Sequence, residues 1–305
     1  MTKIPDISIV IVNYNTYKYT AQCLDSIYEN STIASFEIIV VDNASSDKSA
    51  ELLESMFKKI KLVRSPENRG ISGGNNLGIR ESTGKYVLLL NNDTIVLPGM
   101  LDRVVDFLES QPAAGGVGGN LMNPDGTFQS AANDFPTLWG EFLNITKFGY
   151  LVSPYYPSLP PFPEQREVDW LSTAFMLFRR DAIEEIDLMD EQFFIYSDET
   201  DLQYRLQEKG WKIYYLPDVK TVHFGGRSLT PWRGRKMAYR GRILFFIKHR
   251  RPFETMLLRA MFTLICSLKT IYWRLISVFP NWNERARYEL KSNYEILRMT
   301  ITGKI

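Results

Sequence analysis

The sequence is poor in cysteine and histidine and has no long uncharged apolar run. Cys23 and Cys266 are its only cysteines; they form no C-x-x-C pair and lie too far apart to suggest a framework, so a reducing compartment is the simplest expectation. In the apolar C-terminal part the longest uncharged stretch, Ala260–Leu268, has nine residues. A spanning helix needs roughly 20, so the chain is expected not to cross a bilayer. Met1–Asp6 leads directly into a strand-like run with no basic n-region or apolar h-region, which predicts a protein that is not exported. Net charge is nearly absent too, at +1 from 36 Lys+Arg and 35 Asp+Glu.

What is present is enough to build a core: 45% hydrophobic, 13% aromatic and 23% charged residues exclude wholesale disorder. The near-zero charge is a cancellation. Residues 1–226 carry 19 basic and 31 acidic side chains, a balance of −12, whereas residues 227–305 carry 17 and 4, a balance of +13. This asymmetry predicts a domain over 1–226 and a basic extension over 227–305 that meets an anionic surface.

The first hundred residues alternate strand-like runs with helical patterns. Ile7–Val12, Phe36–Val41, Ile60–Val63 and Tyr86–Leu90 are short and continuously aliphatic, as parallel strands buried on both faces are. Helices are expected at Thr16–Tyr28, Asp47–Phe57 and Ser72–Glu81, the second capped from Ser45-Ser46-Asp47. The βαβαβαβ order predicts an α/β fold with a doubly wound, mostly parallel sheet. Ligands bind such sheets beyond the carboxyl ends of the strands. There the chain places Asn13-Tyr14-Asn15, Asp42-Asn43, Asn68-Arg69-Gly70 and Asn91-Asn92-Asp93. After residue 98 the pattern loosens, with a helix expected near Pro98–Ser110, a glycine-rich stretch Gly115–Gly119, and Pro154–Pro163 reading as an exposed loop.

Several of these groups have the chemistry of a nucleotide site. Side chains alternate along a strand, so Asn91 and Asp93 point to one side and can face a cation or diphosphate; alternatively Asn-Asn-Asp simply turns the chain. Asp42, one residue past a strand, suits a pyrimidine N–H or ribose hydroxyls, or else caps the next helix. The glycine-rich run from Asn68 to Asn76 suits a phosphate cradle but has neither the Walker nor the G-x-G-x-x-G spacing, which argues against a P-loop ATPase and a nicotinamide-dependent enzyme. Asp198, Glu199 and Asp201 cluster at a helix start, where one carboxylate can act as general base or all can serve the helix dipole. His223, one of two histidines, is a candidate metal or phosphate ligand or a structural residue.

Taken in order, these segments resemble the inverting nucleotide-sugar glycosyltransferases of the large A-type-fold family that includes bacterial rhamnosyltransferases. The likeness is carried by Ile9–Asn15, Val40–Asp47, Asn68-Arg69-Gly70 with Gly73, Asn75, Asn76 and Gly78, Leu90–Asp93, Phe193–Leu202 and His223, over about residues 6–230. It implies a nucleoside and phosphate site at Tyr14, Asn15, Asp42, Asn43, Arg69, Gly70 and Asn92. It also implies a divalent metal, Mg²⁺ or Mn²⁺, at Asp93 with Asn91 and His223, Asn91 standing where the family has an acidic residue. Asp198-Glu199 falls where the family has a Glu-Asp pair whose second member is the base, which selects Glu199 and keeps Asp198 as the alternative. Trp170, Thr173 and Asp201 fall near the acceptor pocket, and Thr173 replaces a usual glycine. The implied partners are a nucleotide-diphosphate sugar donor, with deoxythymidine-diphosphate rhamnose the first choice, and a glycan or lipid-linked acceptor. A sugar-1-phosphate nucleotidyltransferase would need a glycine-rich basic loop after the first strand, where Asn13-Tyr14-Asn15-Thr16 stands; a catalytically silent binding protein is disfavoured by intact Asp42, Asp93 and Glu199.

In 227–305, Leu257, Met261, Leu264, Leu268, Ile271, Tyr272, Leu275 and Phe279 recur at helical spacing, with Arg259, Lys269 and Arg274 on the other side of the projection. With the mixed basic and apolar run Arg240–Arg251, this predicts an amphipathic extension docked on an anionic membrane, peripheral to the inner face of the cell membrane from the cytoplasm. Packing on the catalytic domain or on a second subunit is the alternative. No nucleic-acid partner is expected, since no such motif accompanies the charge.

Overall fold

Four aliphatic runs become four neighbouring parallel strands, β1 (Ile7–Asn13), β2 (Phe36–Asp42), β3 (Ile60–Arg64) and β4 (Tyr86–Asn91), in the order β3-β2-β1-β4. The computed structural model describes residues 5–30, 33–225, 231–279 and 283–303. The runs are continuous because both sheet faces are covered. Ile7, Ile9 and Ile11 pack with Leu24 and Ile27 of helix α1 (Tyr17–Glu29) and Leu53 of α2 (Ser49–Met56), while Val10, Val87 and Leu89 pack with Ile79 of α3 (Gly70–Arg80).

The chain continues through β5 (Thr94–Val96), α4 (Met100–Ser110), β6 (Ala114–Met122), the short strands β7 (Phe128–Gln129) and β8 (Ala132–Asn133), and α5 (Leu138–Thr146) with a 3₁₀ turn at Phe148–Leu151. Next come β9 (Arg166–Glu167), β10 (Trp170–Leu171), β11 (Phe175–Arg179), α6 (Arg180–Glu185), α7 (Asp198–Glu208) and β12 (Lys212–His223), then α8 (Pro231–His249), α9 (Pro252–Ile276) and α10 (Asn283–Thr302). The sheet extends past β4 as β11-β6-β12-β5, with β11 antiparallel to both neighbours and β6 parallel to β12. The expected α/β class holds, with a mostly parallel centre and a mixed far side.

Two glycine-rich segments lie in regular elements. Gly115–Gly119 is part of β6, where a Cβ at Gly119 would lie 2.3 Å from the Val219 carbonyl of the bulged neighbour β12. In α3, Gly74 and Gly78 let the helix lie directly on β1: a Cβ at Gly78 would lie 2.3 Å from Val10 Cγ1. These two glycines allow the close packing of helix on strand. The expected cap of α2 differs. Asp47 accepts the Ser49 N–H at 3.0 Å, while Ser45 and Ser46 bond to Asn13 and Asn15.

The chain forms two compact units. The first is Met1–Phe135 with Ser158–Phe194 and Asp198–Ser228; the second is Pro136–Pro157, Ile195–Ser197 and Leu229–Ile305. The second unit therefore takes in more than the 227–305 extension read from charge. In it α9 packs against α5, α8 and α10, burying Leu258, Phe262 and Cys266, with the Tyr239 and Phe262 ring centroids 4.6 Å apart. Ion pairs Arg235–Glu289 (2.6 Å) and Lys236–Glu295 (2.7 Å) tie α8 to α10. By length and composition alone α9 is long and apolar enough to cross a membrane, although its longest uncharged run has nine residues.

Candidate active site

Strand register brings the polar ends together. Asn13 of β1 stands beside Asp42 of β2, Val12 beside Asn91 of β4, and His223 of β12 beside Thr94 of β5. Beneath this edge runs a buried chain of hydrogen bonds. Asn92 Nδ2 donates to Thr16 and Thr20 Oγ1 (2.5 and 2.9 Å), Thr20 donates to Asn13 Oδ1 (2.7 Å), and Asn13 Nδ2 donates to Asp42 Oδ1 (3.0 Å) and Ser45 Oγ (3.0 Å). Asp42 also accepts the Ser45 N–H at 3.1 Å. Buried polar groups are stable only when paired, so the network fixes the strand ends as one unit. Asp42 keeps further lone pairs for a ligand.

On the other side of β4, Asn91 and Asp93 face the same group. His223 Nε2 lies 3.2 Å from Asp93 Oδ1 and 3.3 Å from Asn91 Nδ2, in agreement with the alternation argument. The opposite ring nitrogen, Nδ1, lies 2.6 Å from Gln129 Oε1. Gln129 Nε2 is used toward Asn123 Oδ1 (3.1 Å) and the His223 carbonyl (3.4 Å), so its oxygen accepts and Nδ1 carries the proton. In the neutral ring with its proton on Nδ1, Nε2 turns a lone pair toward the Asp93 carboxylate and the Asn91 amide, a place where a cation would sit between ring and carboxylate. Two ligands in adjacent positions on a metal with bonds of about 2.1 Å stand about 3 Å apart, close to the observed spacing. Among the described residues no group of three or more His, Cys, Asp or Glu side chains gathers, and Asp93 and His223 are a pair with the Asn91 amide beside them. The donor set fits a divalent ion that draws most of its ligands from substrate.

The acidic cluster begins α7 as expected, directly after Tyr196 and Ser197, both at positive φ (66° and 64°). Adjacent non-glycine residues in that region are strained, and such strain gathers at functional sites. Its three carboxylates have different surroundings. Asp198 is buried; Asp201 is fully buried and paired with Arg205 Nε at 2.8 Å. Glu199 is half-buried, and its carboxylate has no hydrogen-bond partner among the described residues. Gln203 of α7 pairs with both the N–H and the C=O of Leu171 (2.8 and 2.7 Å), and the Ala174 carbonyl accepts the Asn91 N–H at 3.0 Å. The segment holding Trp170 and Thr173 thus bridges the start of α7 and the end of β4.

Some expected ligand contacts are occupied by the protein itself. Asn43 is buried and holds the 68–70 loop through the Arg69 N–H, Asn68 Oδ1 and the Gly70 carbonyl. Asn92 donates its amide to Thr16 and Thr20, and Asp201 is buried against Arg205. Gly70 is required by its φ of 69° and by Phe194, whose carbonyl would lie 2.1 Å from a Cβ. Arg69 pairs with Glu191 at 2.7 Å, and Glu191 also meets Asn76 (3.1 Å). Tyr14 is exposed at the rim, and Asn15 accepts from Ser46. Gln129 and Glu191 are isolated in sequence, with no motif to signal them. Cys23 is buried below the edge and its thiol is pushed up to about 12 by desolvation, which makes it inert at neutral pH.

Sheet and edge together are those of an A-type-fold glycosyltransferase. The family model described as glycosyl transferase family 2 matches residues 8–187, and the chain belongs to that family. Among curated relatives it is 25% identical over 240 residues to an N-acetylglucosaminyl-diphospho-decaprenol L-rhamnosyltransferase of Mycobacterium tuberculosis, covering 72% of this chain and 76% of that one. It is also 25% identical over 233 residues to the O-antigen biosynthesis protein RfbC of Myxococcus xanthus, covering 73% and 18%. Among solved structures, a mannosyltransferase from Pyrobaculum calidifontis in complex with GDP-Man and Mn²⁺ superposes with a TM-score of 0.59 at 16% identity, over 100% of this chain and 89% of that one. GalNAc-T7 with UDP, GalNAc and Mn²⁺ gives 0.60 at 13% identity, over 99% and 57%. At these identities the structural likeness speaks for the fold.

Proposed function

We propose that the chain is an inverting, divalent-metal-dependent glycosyltransferase of bacterial cell-surface polysaccharide synthesis. Its donor is a nucleotide-diphosphate sugar, deoxythymidine-diphosphate rhamnose first, and its acceptor is a hydroxyl on a glycan or lipid-linked sugar. The observation that carries this reading is the convergence of Asp93, Asn91 and His223 beside the Asn13–Asp42 edge. Two curated relatives, one named as a rhamnosyltransferase acting on a decaprenol-linked sugar and one as an O-antigen biosynthesis protein, support the choice of donor and pathway.

Asp42 and Tyr14 bind the nucleoside, Asp42 as an acceptor already oriented by Asn13 and the Ser45 N–H. Asp93 and His223 are the residues that would hold the metal, with Asn91 beside them. When bound, Mg²⁺ or Mn²⁺ neutralises charge on the leaving diphosphate. Glu199 takes the proton of the acceptor hydroxyl as that oxygen attacks the anomeric carbon; its unengaged carboxylate suits a base better than buried Asp198 does. Attack from the face opposite the leaving group inverts the anomeric centre. The 227–305 segment docks the enzyme on an anionic membrane from the cytoplasmic side, where a lipid-linked acceptor resides. A hydrolysis and transfer screen across nucleotide sugars, with Mg²⁺ or Mn²⁺ and with chelator, tests the scheme, and NMR of the product's anomeric configuration reads inversion. A rate unchanged by chelator, or a retained configuration, sinks it.

A further inference from the structure

Helix α9 has two apolar faces. Leu258, Phe262 and Cys266 are fully buried within the helical unit. On the opposite side of the helix Phe253, Leu257, Leu264, Leu268, Ile271 and Leu275 form an exposed stripe, Leu264 at 61% and Leu275 at 67%. Its charges point the other way from those of a water-facing helix. Arg259 donates to the Thr300 carbonyl (3.0 and 2.7 Å) and Lys269 to the Ile145 carbonyl (3.3 Å), so cations are spent on neighbouring backbone while leucines face out. Isolated exposed leucines are ordinary, but a stripe along a helix of about 37 Å is the mark of an interface.

The same unit offers a second apolar element. α5 packs on α9, and with the 3₁₀ turn that follows it exposes Trp139 (67%), Phe148, Leu151 (86%) and Val152 (75%). Exposed Lys147 adjoins Phe148, and exposed Arg251 lies two residues before Phe253. Apolar groups flanked by cations match the interfacial layer of an anionic bilayer, where acyl chains and phosphates lie a few ångströms apart. A second copy of this chain is a poor occupant, since residues 227–305 carry 17 basic and 4 acidic side chains and would repel their own kind. Spanning is equally poor, because α8 and α10 cover the inner face of α9 and bring the Arg235–Glu289 and Lys236–Glu295 pairs with them.

We propose that the outer face of α9 and the Trp139–Val152 shoulder form one lipid-docking surface that lies flat in the interface of an anionic bilayer. The proposal rests on the membrane-docking part of the function above and names its contact surface, including an insertion far from the basic segment in sequence. The test uses the full chain with phosphatidylcholine vesicles, with and without phosphatidylglycerol. Two double variants, Leu264→Asp with Leu268→Asp and Leu151→Asp with Val152→Asp, change exposed residues only; their thermal unfolding is compared with wild type. Flotation of wild type with anionic vesicles, weakened by salt and reduced about tenfold or more by each double variant, supports the proposal. Wild-type flotation by both variants overturns it, as does absence of vesicle binding with a stripe-dependent dimer in sedimentation, or release by detergent but not by alkaline carbonate. Donor hydrolysis in free solution is read in parallel and should be the same in all variants. Loss of hydrolysis in wild type itself sinks the transferase scheme and leaves the docking result standing.

Discussion

The two units place their polar groups in opposite ways. In the sheet unit, apolar side chains fill both faces and polar ones gather at one edge, where Asn13, Thr20, Asp42 and Asn92 satisfy one another and Asp93 meets His223. In the helical unit, α9 turns cations toward backbone carbonyls and leucines outward. Each is the cheap arrangement for its surroundings, since a buried polar group needs a partner and an exposed apolar face needs something other than water. Where side chains point therefore reports what a surface meets.

The strongest way to break this contrast is at the edge. Asp93→Ala and Glu199→Gln are each expected to lower transfer by roughly 10²–10³-fold or more, measured as kcat/KM with saturating metal, while vesicle binding stays at its wild-type level. Vesicle binding that falls with them would mean the two units do not divide the work. Next is Gln129→Leu, which removes the acceptor that places the proton on His223 Nδ1. It should raise the Kd for Mn²⁺, measured by titration calorimetry with nucleoside diphosphate present, about 10–100-fold, and ¹⁵N NMR should show a mixed tautomer. An unchanged Kd would remove His223 from the metal site.

Smaller effects sharpen the structural half of the comparison. Gly70→Ala meets both a φ of 69° and the Phe194 carbonyl, and should cost at least about 1–3 kcal/mol, seen as a lower Tm. Unchanged stability would mean the loop relaxes freely. The smallest effect is expected at Glu141 in the helical unit, whose carboxyl is raised above its ordinary range by burial, with Arg242 opposing. The folded state then binds that proton more tightly than the unfolded chain. Its contribution to stability is full below the ordinary glutamate pKa and is lost as pH rises through the raised value. Glu141→Gln should flatten the fall in Tm across that window, and an unaltered pH profile would assign the slope elsewhere.

The sheet edge was legible because its code is local. Continuous aliphatic runs end in Asn13, Asp42 and Asn91, and strands buried on both faces can hardly be read another way. Register then aligns those ends with no further information. The packing role of the glycines in α3 and β6 was not legible, because it depends on Val10 and Val219 standing beside them. That Asn92 bonds Thr16 and Thr20, and that Asp201 pairs with Arg205, is equally invisible in the motifs.

By itself the sequence determined the α/β class, the family, the polar strand ends and the opposite charges of its two parts, because periodicity, composition and short motifs are properties of neighbouring residues. Only the tertiary structure decided which polar groups remain open to a ligand, that Gln129 orients His223 across 94 positions, and that the apolar face of α9 looks outward. Those outcomes depend on what stands opposite each side chain, and that partner is set by packing between segments far apart along the chain.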